Sequence, residues 1–415
     1  MAEQMMQETA GKAIPAGYKQ TEVGVIPGDW EVKVLGELVE ISSGESPSKF
    51  IFTDSGIPYF KVEQLNDGLI YADETPYFID AVKIVKAGSV IFPKRGASIL
   101  LNKIRILKRD SFMDTNLMAL TCSLSLDALY LYNQLIYKKL SSVADTTSIP
   151  QINNKHITPY AIPFPTKQEQ TAIANVLSDS DALIDALEQL IAKKQAIKSA
   201  TMQQLLTGRT RLPAFALRPD GTQKGYKPSE LGEIPEDWVV IPLGDICSLY
   251  QPVTISGSEL KESGYPVYGA NGLIGFYEKY NHEAPQVIVT CRGSTCGTVN
   301  YTVAKSWITG NAMVVDVDKN KKLDKNFTYY MLSNQDLTVC ITGSGQPQIV
   351  RSPLAAFKVV LPEIEEQTAI ATILSDMDNE LQALTRKLEK ARALKQGMMQ
   401  QLLTGKIRLP LAAGA

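Results

Sequence analysis

The sequence is poor in the residues that build metal centres and disulfide frameworks. Its 415 residues include five cysteines and two histidines, and no two cysteines form a C-x-x-C pair. Because a zinc site needs four ligands at short spacings, we expect scattered reduced thiols and no bound metal. The chain has no apolar run near the roughly 20 residues that cross a bilayer, and its first residues lack the apolar centre of a signal peptide. These absences predict a cytoplasmic protein.

Sequence signatures of nucleotide and cofactor chemistry are also missing. There is no Walker A pattern, no Asn-Pro-Pro-aromatic tetrapeptide of adenine methyltransferases and no convincing glycine-rich cofactor loop. His156 and His282 lack an evident Ser or Cys partner, so a catalytic triad is unsupported. Residues 259–261 near Asp245 weakly resemble a nuclease E-x-K arrangement, but so short a match is common by chance. We therefore expect a chain that is not an enzyme.

Positive and negative charges are nearly equal in number over the whole chain. The formal net charge is −2 and the sequence pI is about 5.9, which by itself argues weakly against a nucleic-acid-binding protein. Residues 83–109 nevertheless carry eight Lys and Arg side chains and no acidic one. This stretch predicts a local basic surface on a protein that is otherwise close to neutral.

What the chain does contain is an internal duplication. Residues 170–213 (QTAIANVLSD…MQQLLTGRTRLP) recur without a gap 197 positions later, at 367–410 (QTAIATILSD…MQQLLTGKIRLP). A second repeat, at 17–38 and 225–246, opens each half and includes Trp30 and Trp238 as expected packing anchors. Between opener and long helix, both halves contain short β-prone runs and one shorter helix, expected at 126–140 and 325–334. At 415 residues the chain is long enough for two such domains of α/β or α+β class.

Both copies of the 170–213 repeat have the seven-residue period of a coiled coil, so we expect the two helices to pack together. Acidic residues dominate the first half of each helix and basic residues the second half, so antiparallel pairing places opposite charges together. Lys198 and Lys395 interrupt the seam and could specify register or reach a partner. About 40 residues at 1.5 Å each predict a rod of roughly 60 Å, with one body at each end. The apolar seam is expected at Leu177, Ile184, Leu187, Ile191, Leu374, Leu381, Leu384 and Leu388.

The doubled pattern P-x-x-x-E-Q-x-A-I-A-x-x-L, followed by a long helix and Q-Q-L-L-T-G, resembles the specificity subunit of type I restriction-modification systems. The resemblance covers essentially the whole chain after residue 16. It implies two target recognition domains, each reading one half of an interrupted, asymmetric sequence in double-stranded DNA. It also implies that the helices set the half-site spacing and dock two modification subunits, which would bind S-adenosylmethionine and methylate adenine. A restriction subunit using ATP and Mg would join them to translocate and cleave DNA, and this chain would hold no cofactor.

The resemblance and the repeats together divide the chain into six segments. They are a flexible leader (1–16), a first target recognition domain (17–166), a central conserved spacer helix (167–212), a linker (213–224), a second target recognition domain (225–362) and a C-terminal conserved helix (363–415). The fold class expected is α/β (α+β), with two similar domains joined by an antiparallel coiled coil in a pseudo-twofold repeat.

Candidate DNA contacts follow from side-chain chemistry. Lys and Arg contact phosphates or guanine, whereas Asn and Gln suit adenine. In the first body the expected phosphate or guanine contacts, whose alternative is a solvated basic loop, are Lys94, Arg95, Lys103 and Arg105. The expected polar contacts, which turn chemistry explains equally well, are Gln151, Asn153, Asn154 and Lys155. In the second body the candidates are Tyr268, Asn271, Arg292, Ser294, Thr295 and Gln348.

Two features of the repeats leave alternatives open. The Arg-Gly pairs Arg95-Gly96 and Arg292-Gly293 could be structural turns instead of DNA contacts. The repeated MQQLLTG exceeds what helix capping requires, which favours a partner-docking role for Gln203, Gln204, Gln400 and Gln401.

Two other functions compete with a DNA-specificity subunit. A coiled-coil assembly scaffold would not bind DNA, and it leaves unexplained why the bodies differ while the helices match. A self-sufficient modification enzyme should carry a cofactor motif, which this sequence lacks.

Overall fold

The computed structural model describes residues 14–65, 70–80, 83–145, 149–270, 272–343 and 347–410. The described chain forms two compact units. Unit 1 comprises residues up to 188 and those from 386 onward, and unit 2 comprises residues 189–385. The boundary falls inside both long helices, so each unit contains the first part of one helix and the last part of the other.

Helices and strands alternate through both units. Within the described residues the α-helices are α1 (Leu35–Leu38), α2 (Ala128–Lys138), α3 (Asn154–Ile157), α4 (Lys167–Leu206), α5 (Leu243–Ile246), α6 (Lys325–Ser333), α7 (Arg351–Ala356) and α8 (Ile364–Leu402). Short 3-10 helices lie at Pro47–Lys49, Val62–Gln64, Ala97–Ile99, Leu140–Ser142, Gly257–Glu259 and Leu337–Cys340.

The strands of unit 1 are β1 (Tyr18–Thr21), β2 (Gly24–Pro27), β3 (Glu31–Val34), β4 (Val39–Ser43), β5 (Phe52–Thr53), β6 (Ile57–Phe60), β7 (Tyr71–Ala72), β8 (Phe78–Ile79), β9 (Val90–Pro93), β10 (Arg105–Leu107), β11 (Phe112–Met113), β12 (Leu117–Cys122) and β13 (Ala161–Phe164). Those of unit 2 are β14 (Tyr226–Ser229), β15 (Gly232–Pro235), β16 (Val239–Pro242), β17 (Ser248–Tyr250), β18 (Tyr265–Gly269), β19 (Gly272–Tyr277), β20 (Val287–Thr290), β21 (Val299–Tyr301), β22 (Trp307–Ile308), β23 (Ala312–Asp316), β24 (Ile341–Thr342), β25 (Gln348–Ile349) and β26 (Lys358–Leu361).

The globular body of each unit opens with a hairpin, which is followed by a buried tryptophan and then by a strand. The hairpins are β1–β2 and β14–β15, and Trp30 and Trp238 are each only 1% exposed. The next strand pairs antiparallel with the strand that leads into the long helix, β3 with β13 and β16 with β26. The opener is thereby fixed to the start of the helix, as the tryptophan anchors predicted.

Each body contains a larger and a smaller sheet. In unit 1 the strand orders are β4-β12-β9-β10-β7 and β11-β6-β8-β5, and in unit 2 they are β17-β23-β20-β21 and β19-β18-β22. The fully buried strands β9 and β20 lie inside the larger sheets, because their side chains are apolar on both faces. One helix covers each body: α6 matches its predicted bounds closely, whereas α2 starts later than expected because Asp127 caps it. The predicted mixed fold class with an internal repeat is confirmed.

The long helices α4 and α8 each begin shortly after a proline and end shortly before a glycine. Pro165 precedes α4 and Pro362 precedes α8. Because proline lacks a backbone N–H and its ring clashes with the preceding turn, neither helix extends through it toward the N-terminus. Past the last turns, Gly208 and Gly405 adopt φ values of +70° and +68°. This left-handed conformation ends a helix at little cost only when the residue is glycine.

Candidate nucleic-acid interface

In unit 1 the turn that follows strand β9 is held by main-chain hydrogen bonds on both sides. The Lys94 N–H donates to the Asn116 carbonyl at 2.8 Å, and the Ile152 N–H donates to the Lys94 carbonyl at 2.9 Å. The next residue, Arg95, forms a β-bridge with Gln151. The structure therefore brings together two predicted DNA contacts that lie 56 positions apart in the sequence.

Unit 2 repeats this frame after strand β20. The Cys291 N–H donates to the Asn311 carbonyl at 2.9 Å, and the Ile349 N–H donates to the Cys291 carbonyl at 3.0 Å. Arg292 forms a β-bridge with Gln348, as Arg95 does with Gln151 in unit 1. We call these two arrangements the Arg-Gln turns.

The Arg-Gly pairs form structural turns, and DNA contact by their arginines stays a prediction. Gly96 and Gly293 have φ values of +80° and +82°, so the glycines are structural. The side chains of Arg95 and Arg292 are exposed beside them. A structural turn thus presents an arginine to solvent in each unit.

The remaining polar candidates of unit 1 differ in accessibility. Asn153 caps α3, and its N–H donates to His156 Nδ1 at 3.1 Å, which supports the turn reading at this residue. Asn154 and Lys155 are exposed on the first turn of the same helix. Lys94 is half-buried, and its burial together with the nearby Arg95 lowers its pKa.

Arg105 does not lie at the surface. It belongs to strand β10, is 6% exposed, and its Nη1 donates to the Ile104 carbonyl at 2.5 Å. The prediction that Arg105 contacts a phosphate or a guanine is therefore not supported by its position. Lys103, two residues earlier, is half-buried and keeps some accessible surface.

The basic stretch is also less uniformly basic than its sequence indicated. Lys86 pairs with Asp110 at 3.0 Å, and Lys108 pairs with Asp73 at 2.6 Å. The hydrogen bond from Lys108 lowers the pKa of Asp73, and a backbone hydrogen bond from Ala87 followed by one from Lys86 lowers that of Asp110. Carboxylates from outside the stretch therefore neutralise its end, and the uncompensated charge is concentrated near the Arg-Gln turn.

The candidates of unit 2 differ in position and accessibility. Ser294 and Gln348 are exposed beside Arg292, in the same Arg-Gln turn. Tyr268 is half-buried on β18 and packs against a small core cluster that contains Ile288. Such packing leaves it partly accessible from one side.

Two further candidates of unit 2 have different outcomes. The Thr295 hydroxyl donates to the Ala270 carbonyl, so it supports the adjoining hairpin and is not free to read a base. Asn271 lies outside the described residues.

Most residues of the predicted helix seam are buried. Leu177, Leu187 and Leu374 are buried, whereas Ile191 and Leu384 are half-buried. The other predicted seam residues, also buried, are Ile184, Leu381 and Leu388.

Lysines at the two seam interruptions pair with aspartates of the opposite helix. In unit 1 Lys395 pairs with Asp181, and in unit 2 Lys198 pairs with Asp378, 197 positions apart in both members. Additional bridges are Arg392 to Glu188 at 2.6 Å in unit 1 and Lys194 to Glu380 at 2.8 Å in unit 2. In each unit the acidic early part of one helix meets the basic late part of the other, so the pairing is antiparallel, as the charge pattern predicted.

Sequence reasoning did not assign a role to the repeated Glu-Gln pair at the helix start. In unit 1 Glu169 accepts a hydrogen bond from Trp30 Nε1 at 3.1 Å and pairs with Arg408, which also pairs with Asp29 at 2.9 Å. Gln170 accepts from the Asp127 N–H at 2.8 Å, at the cap of helix α2.

The same clamp occurs in unit 2. Glu366 accepts from Trp238 Nε1 at 3.0 Å and pairs with Arg211 at 2.8 Å, and Arg211 also pairs with Asp237 at 2.8 Å. Gln367 accepts from the Asp324 N–H at 2.9 Å. The repeats contain a signal for this contact. Trp30 recurs as Trp238 after 208 positions, and Arg211 recurs as Arg408 after 197 positions.

The L-L-T-G ends of the helices dock on the openers. A Cβ at Gly405 would lie 2.4 Å from Pro27 Cδ, and one at Gly208 would lie 2.5 Å from Pro235 Cγ. Only glycine fits against these prolines. Intramolecular packing thus accounts for the glycine and leucines of the motif.

The glutamines of the same motif point mostly outward. Gln203, Gln204 and Gln400 are exposed and Gln401 is half-buried, and Gln204 Oε1 accepts from the Thr210 hydroxyl at 3.1 Å. Their partner-docking role stays a prediction.

Metal sites and membrane-spanning helices are the two other features considered within the described residues. No group of three or more His, Cys, Asp or Glu that could hold a metal ion occurs in the part of the chain that the structure describes. Among the same residues, no helix is both long and apolar enough to span a membrane.

Comparisons with known proteins agree with this architecture. The family model described as "Type I restriction modification DNA specificity domain" matches the chain twice, over residues 27–198 and 235–391. The type I restriction enzyme MjaVIII specificity subunit of Methanocaldococcus jannaschii is 27% identical, over 92% of this chain and 94% of its own length. The putative type I restriction enzyme MjaX specificity subunit of the same organism is 28% identical, over 94% of this chain and 97% of its own.

A solved structure shares the fold. The type I restriction-modification S subunit from M. genitalium superimposes with a TM-score of 0.62 at 19% identity, covering 90% of this chain and 96% of that one. Specificity subunits are non-catalytic, which confirms the expectation that this chain is not an enzyme. With most of its length matched by the family model, the chain belongs to the type I restriction-modification DNA specificity family.

Proposed function

We propose that this chain reads a bipartite, asymmetric DNA target for a type I restriction-modification complex, with each body reading one half. The observation that carries the proposal is the pair of Arg-Gln turns. They place different exposed side chains on one main-chain frame, for example Ala97 in unit 1 and Ser294 at the equivalent position in unit 2. Two similar frames with different exposed chemistry suit two different half-sites.

The chemistry of each turn suits base edges. An arginine can donate two hydrogen bonds to guanine O6 and N7, and a glutamine can pair with adenine N6 and N7. Arg95 with Gln151, and Arg292 with Gln348, are therefore the central readers in this proposal. Lys94, Lys103, Asn154 and Lys155 contact phosphates around the first of them, and their role is to position the domain on the duplex.

The proposed division of labour follows the segments of the sequence. Residues 17–166 and 225–362 are the target recognition domains, 167–212 and 363–415 are the conserved helices, 213–224 link the halves and 1–16 form a leader. Antiparallel helix pairing with partly buried Lys–Asp contacts supports a spacer of fixed register, since a shift of one turn would leave both lysines unpaired.

Two adenine methyltransferase subunits are the proposed protein partners, with restriction subunits joining through them. S-adenosylmethionine would belong to the methyltransferases, and ATP and Mg to the restriction subunits, so this chain needs no cofactor. The complex would act in the cytoplasm. Replacing Gln203, Gln204, Gln400 and Gln401 by Ala should weaken methyltransferase assembly without unfolding the chain, and unchanged assembly would remove them from the docking surface.

Mapping methylated adenines in a genome with and without this gene tests the function directly. Loss of one bipartite motif on deletion is the expected result. An unchanged methylome in a strain whose methyltransferase is shown to be expressed would contradict it. Purified complex without sequence-specific DNA affinity would instead favour the scaffold function.

The spacer role has its own test. Inserting one heptad into both helices, at positions related by the repeat, should change the distance between the half-sites and leave the half-sites unchanged. Altered half-sites at unchanged spacing would show that the helices do not set the spacing.

A further inference from the structure

The loop between strands β9 and β10 exposes two adjacent leucines. Leu100 and Leu101 are 62% and 65% exposed, although burying a leucine side chain is worth roughly 1.5–3 kcal/mol. Single exposed apolar residues are common on protein surfaces, whereas a contiguous exposed group more often marks a contact site. Ile149 is also more than half exposed, and it directly precedes Pro150, whose carbonyl accepts from the Gly96 N–H at 2.9 Å. The three aliphatic side chains therefore border the same loop.

This loop is firmly anchored at both ends. Ile99 is fully buried, one residue before the exposed pair. On the other side, Asn102 has a φ of +51°, donates through Nδ2 to the Ile136 carbonyl at 3.2 Å and accepts through Oδ1 from the Leu140 N–H at 2.8 Å. The leucines therefore form a positioned tip, which pays little further ordering entropy when it meets a partner.

The surroundings of the tip indicate the chemistry of that partner. Arg95 is exposed at the start of the loop, Lys103 lies at its end, and within the described residues neither forms a salt bridge with a carboxylate. Cations around an apolar centre complement a surface with an anionic rim and an apolar interior. DNA has this arrangement, with phosphates at the groove edges and bases between them.

Unit 2 provides a contrast in the same frame. There the loop from strand to strand covers residues 291–298, against 94–104 in unit 1. It exposes Ser294 and buries Cys296. The apolar tip is thus specific to the first body and is not needed to build the Arg-Gln turn.

We propose that Leu100 and Leu101 contact the apolar surface of bases in the half-site read by the first body, and so contribute to its sequence preference. The inference rests on the proposed function and extends it to residues outside the polar readers. Two base surfaces share this chemistry: the 5-methyl group of thymine, and the face of a base exposed when an aliphatic side chain enters a base step.

The test uses the full chain assembled with its methyltransferase subunits and a duplex carrying the motif found by methylome mapping. The double variant Leu100→Ser, Leu101→Ser should bind this duplex roughly tenfold or more weakly, as expected for loss of apolar base contacts. Its methylome should show relaxed sequence preference in one half-site and an unchanged second half-site. Because both side chains are exposed, the substitutions should not unfold the chain.

Leu124→Ser is the matched control. Leu124 is fully exposed in the same unit, but it follows the Cys122 end of β12, whereas the loop leaves β9 beside the Leu117 end. About five residues of strand, roughly 17 Å, separate those ends. The control should leave affinity and methylome unchanged.

Two labelled duplexes distinguish the base surfaces. Uracil in place of thymine in that half-site should weaken wild-type binding and leave the double variant unaffected if methyl groups are contacted. 2-Aminopurine fluorescence should rise with the wild-type complex alone if a base step is entered.

Four results would overturn the proposal. Unchanged affinity and methylome of the double variant would remove the leucines from the interface, and lost methyltransferase assembly would assign them to a protein contact. Weaker binding without either base response would place them away from bases. A wild-type complex that binds no sequence specifically would overturn the proposed function itself, and this inference with it.

Discussion

The two units build the same ion pair in the helix seam but surround it differently. In unit 2 the Tyr330 hydroxyl donates to Asp378 Oδ2 at 2.7 Å, and the Lys198 ammonium lies 5.5 Å from the centre of the Tyr330 ring. Burial, and then the Asp378 carboxylate, raise the pKa of Tyr330, so its hydroxyl keeps its proton and remains a donor.

Unit 1 has Asn133 where the repeat places Tyr330, 197 residues earlier. Asn133 Nδ2 donates to the Leu129 carbonyl of its own helix at 2.8 Å. Among the described residues, the buried Asp181 Oδ2 and Asn133 Oδ1 have no hydrogen-bond donor. The Lys395–Asp181 pair of unit 1 therefore lacks the support that a body helix gives in unit 2.

Unit 1 makes a different bond one residue farther along the same helix. Gln134 Nε2 donates to the Leu403 carbonyl at 3.1 Å, at the end of α8, and Met331 is its counterpart in unit 2. Each body helix thus extends a polar side chain to the long helices from a different position, Gln134 in unit 1 and Tyr330 in unit 2. The comparison teaches that the repeat preserves the helix contacts that fix register, while the attachment of the bodies has diverged.

The largest expected difference between the units lies in the two clamps. In unit 2 the side chains of Arg211 and Glu366 are 8% and 3% exposed, whereas in unit 1 Arg408 is 39% exposed. Glu366→Gln would remove the more deeply buried of the two carboxylates that pair with the buried Arg211 guanidinium and should destabilise unit 2 by about 3 kcal/mol. Glu169→Gln should cost unit 1 about 1 kcal/mol, because water can solvate Arg408.

Hydrogen exchange resolved by peptide measures these two costs separately, since local stability differs across a structure of two units. Equal losses of protection around Trp30 and Trp238 in the two variants would show that exposure of the arginine does not decide the cost.

Acid should weaken the unit 2 clamp in a defined range. Burial would raise the pKa of Asp237, but hydrogen bonds from Arg211 and Lys224 lower it to about 2. A carboxylate with a depressed folded pKa stabilises the protein above its unfolded value, near 4, and that contribution disappears as pH falls toward 2. The free energy of unfolding of unit 2, measured by hydrogen exchange, should fall by about 2 kcal/mol between about pH 5 and about pH 2.

Asp237→Asn provides the control for this titration. It should be less stable than the wild type at pH about 6 and should lose less stability on acidification. A wild-type chain and a variant with parallel pH profiles would exclude Asp237 as the group responsible.

The smallest difference concerns the seam lysines. Lys395→Met would strand the Asp181 carboxylate, which is 18% exposed, and should destabilise unit 1 by about 2 kcal/mol. Lys198→Met should cost unit 2 about 1 kcal/mol, because Asp378 is 38% exposed and still accepts from Tyr330.

Adding Tyr330→Phe to Lys198→Met should raise the cost in unit 2 to that of Lys395→Met in unit 1, as judged by hydrogen exchange of the helix pair. A double variant no less stable than Lys198→Met would mean that the tyrosine does not support the ion pair.

Much of this architecture was predictable from local pattern. The heptads of α4 and α8, the charge polarity along them and the terminating glycines are signals spread over many residues, and they gave the helix bounds and the antiparallel pairing. The Arg-Gly match likewise indicated the arginines that form the Arg-Gln turns.

Contacts between distant segments were not predictable in this way. Arg408 and Glu169 are 239 positions apart, and nothing in either local sequence names the other. Arg105 looked like its basic neighbours because composition does not show which strand residue faces inward. Asp73 and Asp110 escaped notice because they lie outside the stretch whose charge they neutralise.

The clamp of unit 1 has a consequence for the order of folding during synthesis. Unit 2 is one continuous stretch, 189–385, and can close as soon as it has left the ribosome. Unit 1 needs Gly405 and Arg408 to cover Trp30, so its N-terminal body has to wait for about 375 further residues of translation, roughly 20–75 s at 5–20 residues per second. The part of the protein made first is therefore the last to be completed, and during that interval Trp30 lacks the contacts with Gly405 and Arg408 that cover it.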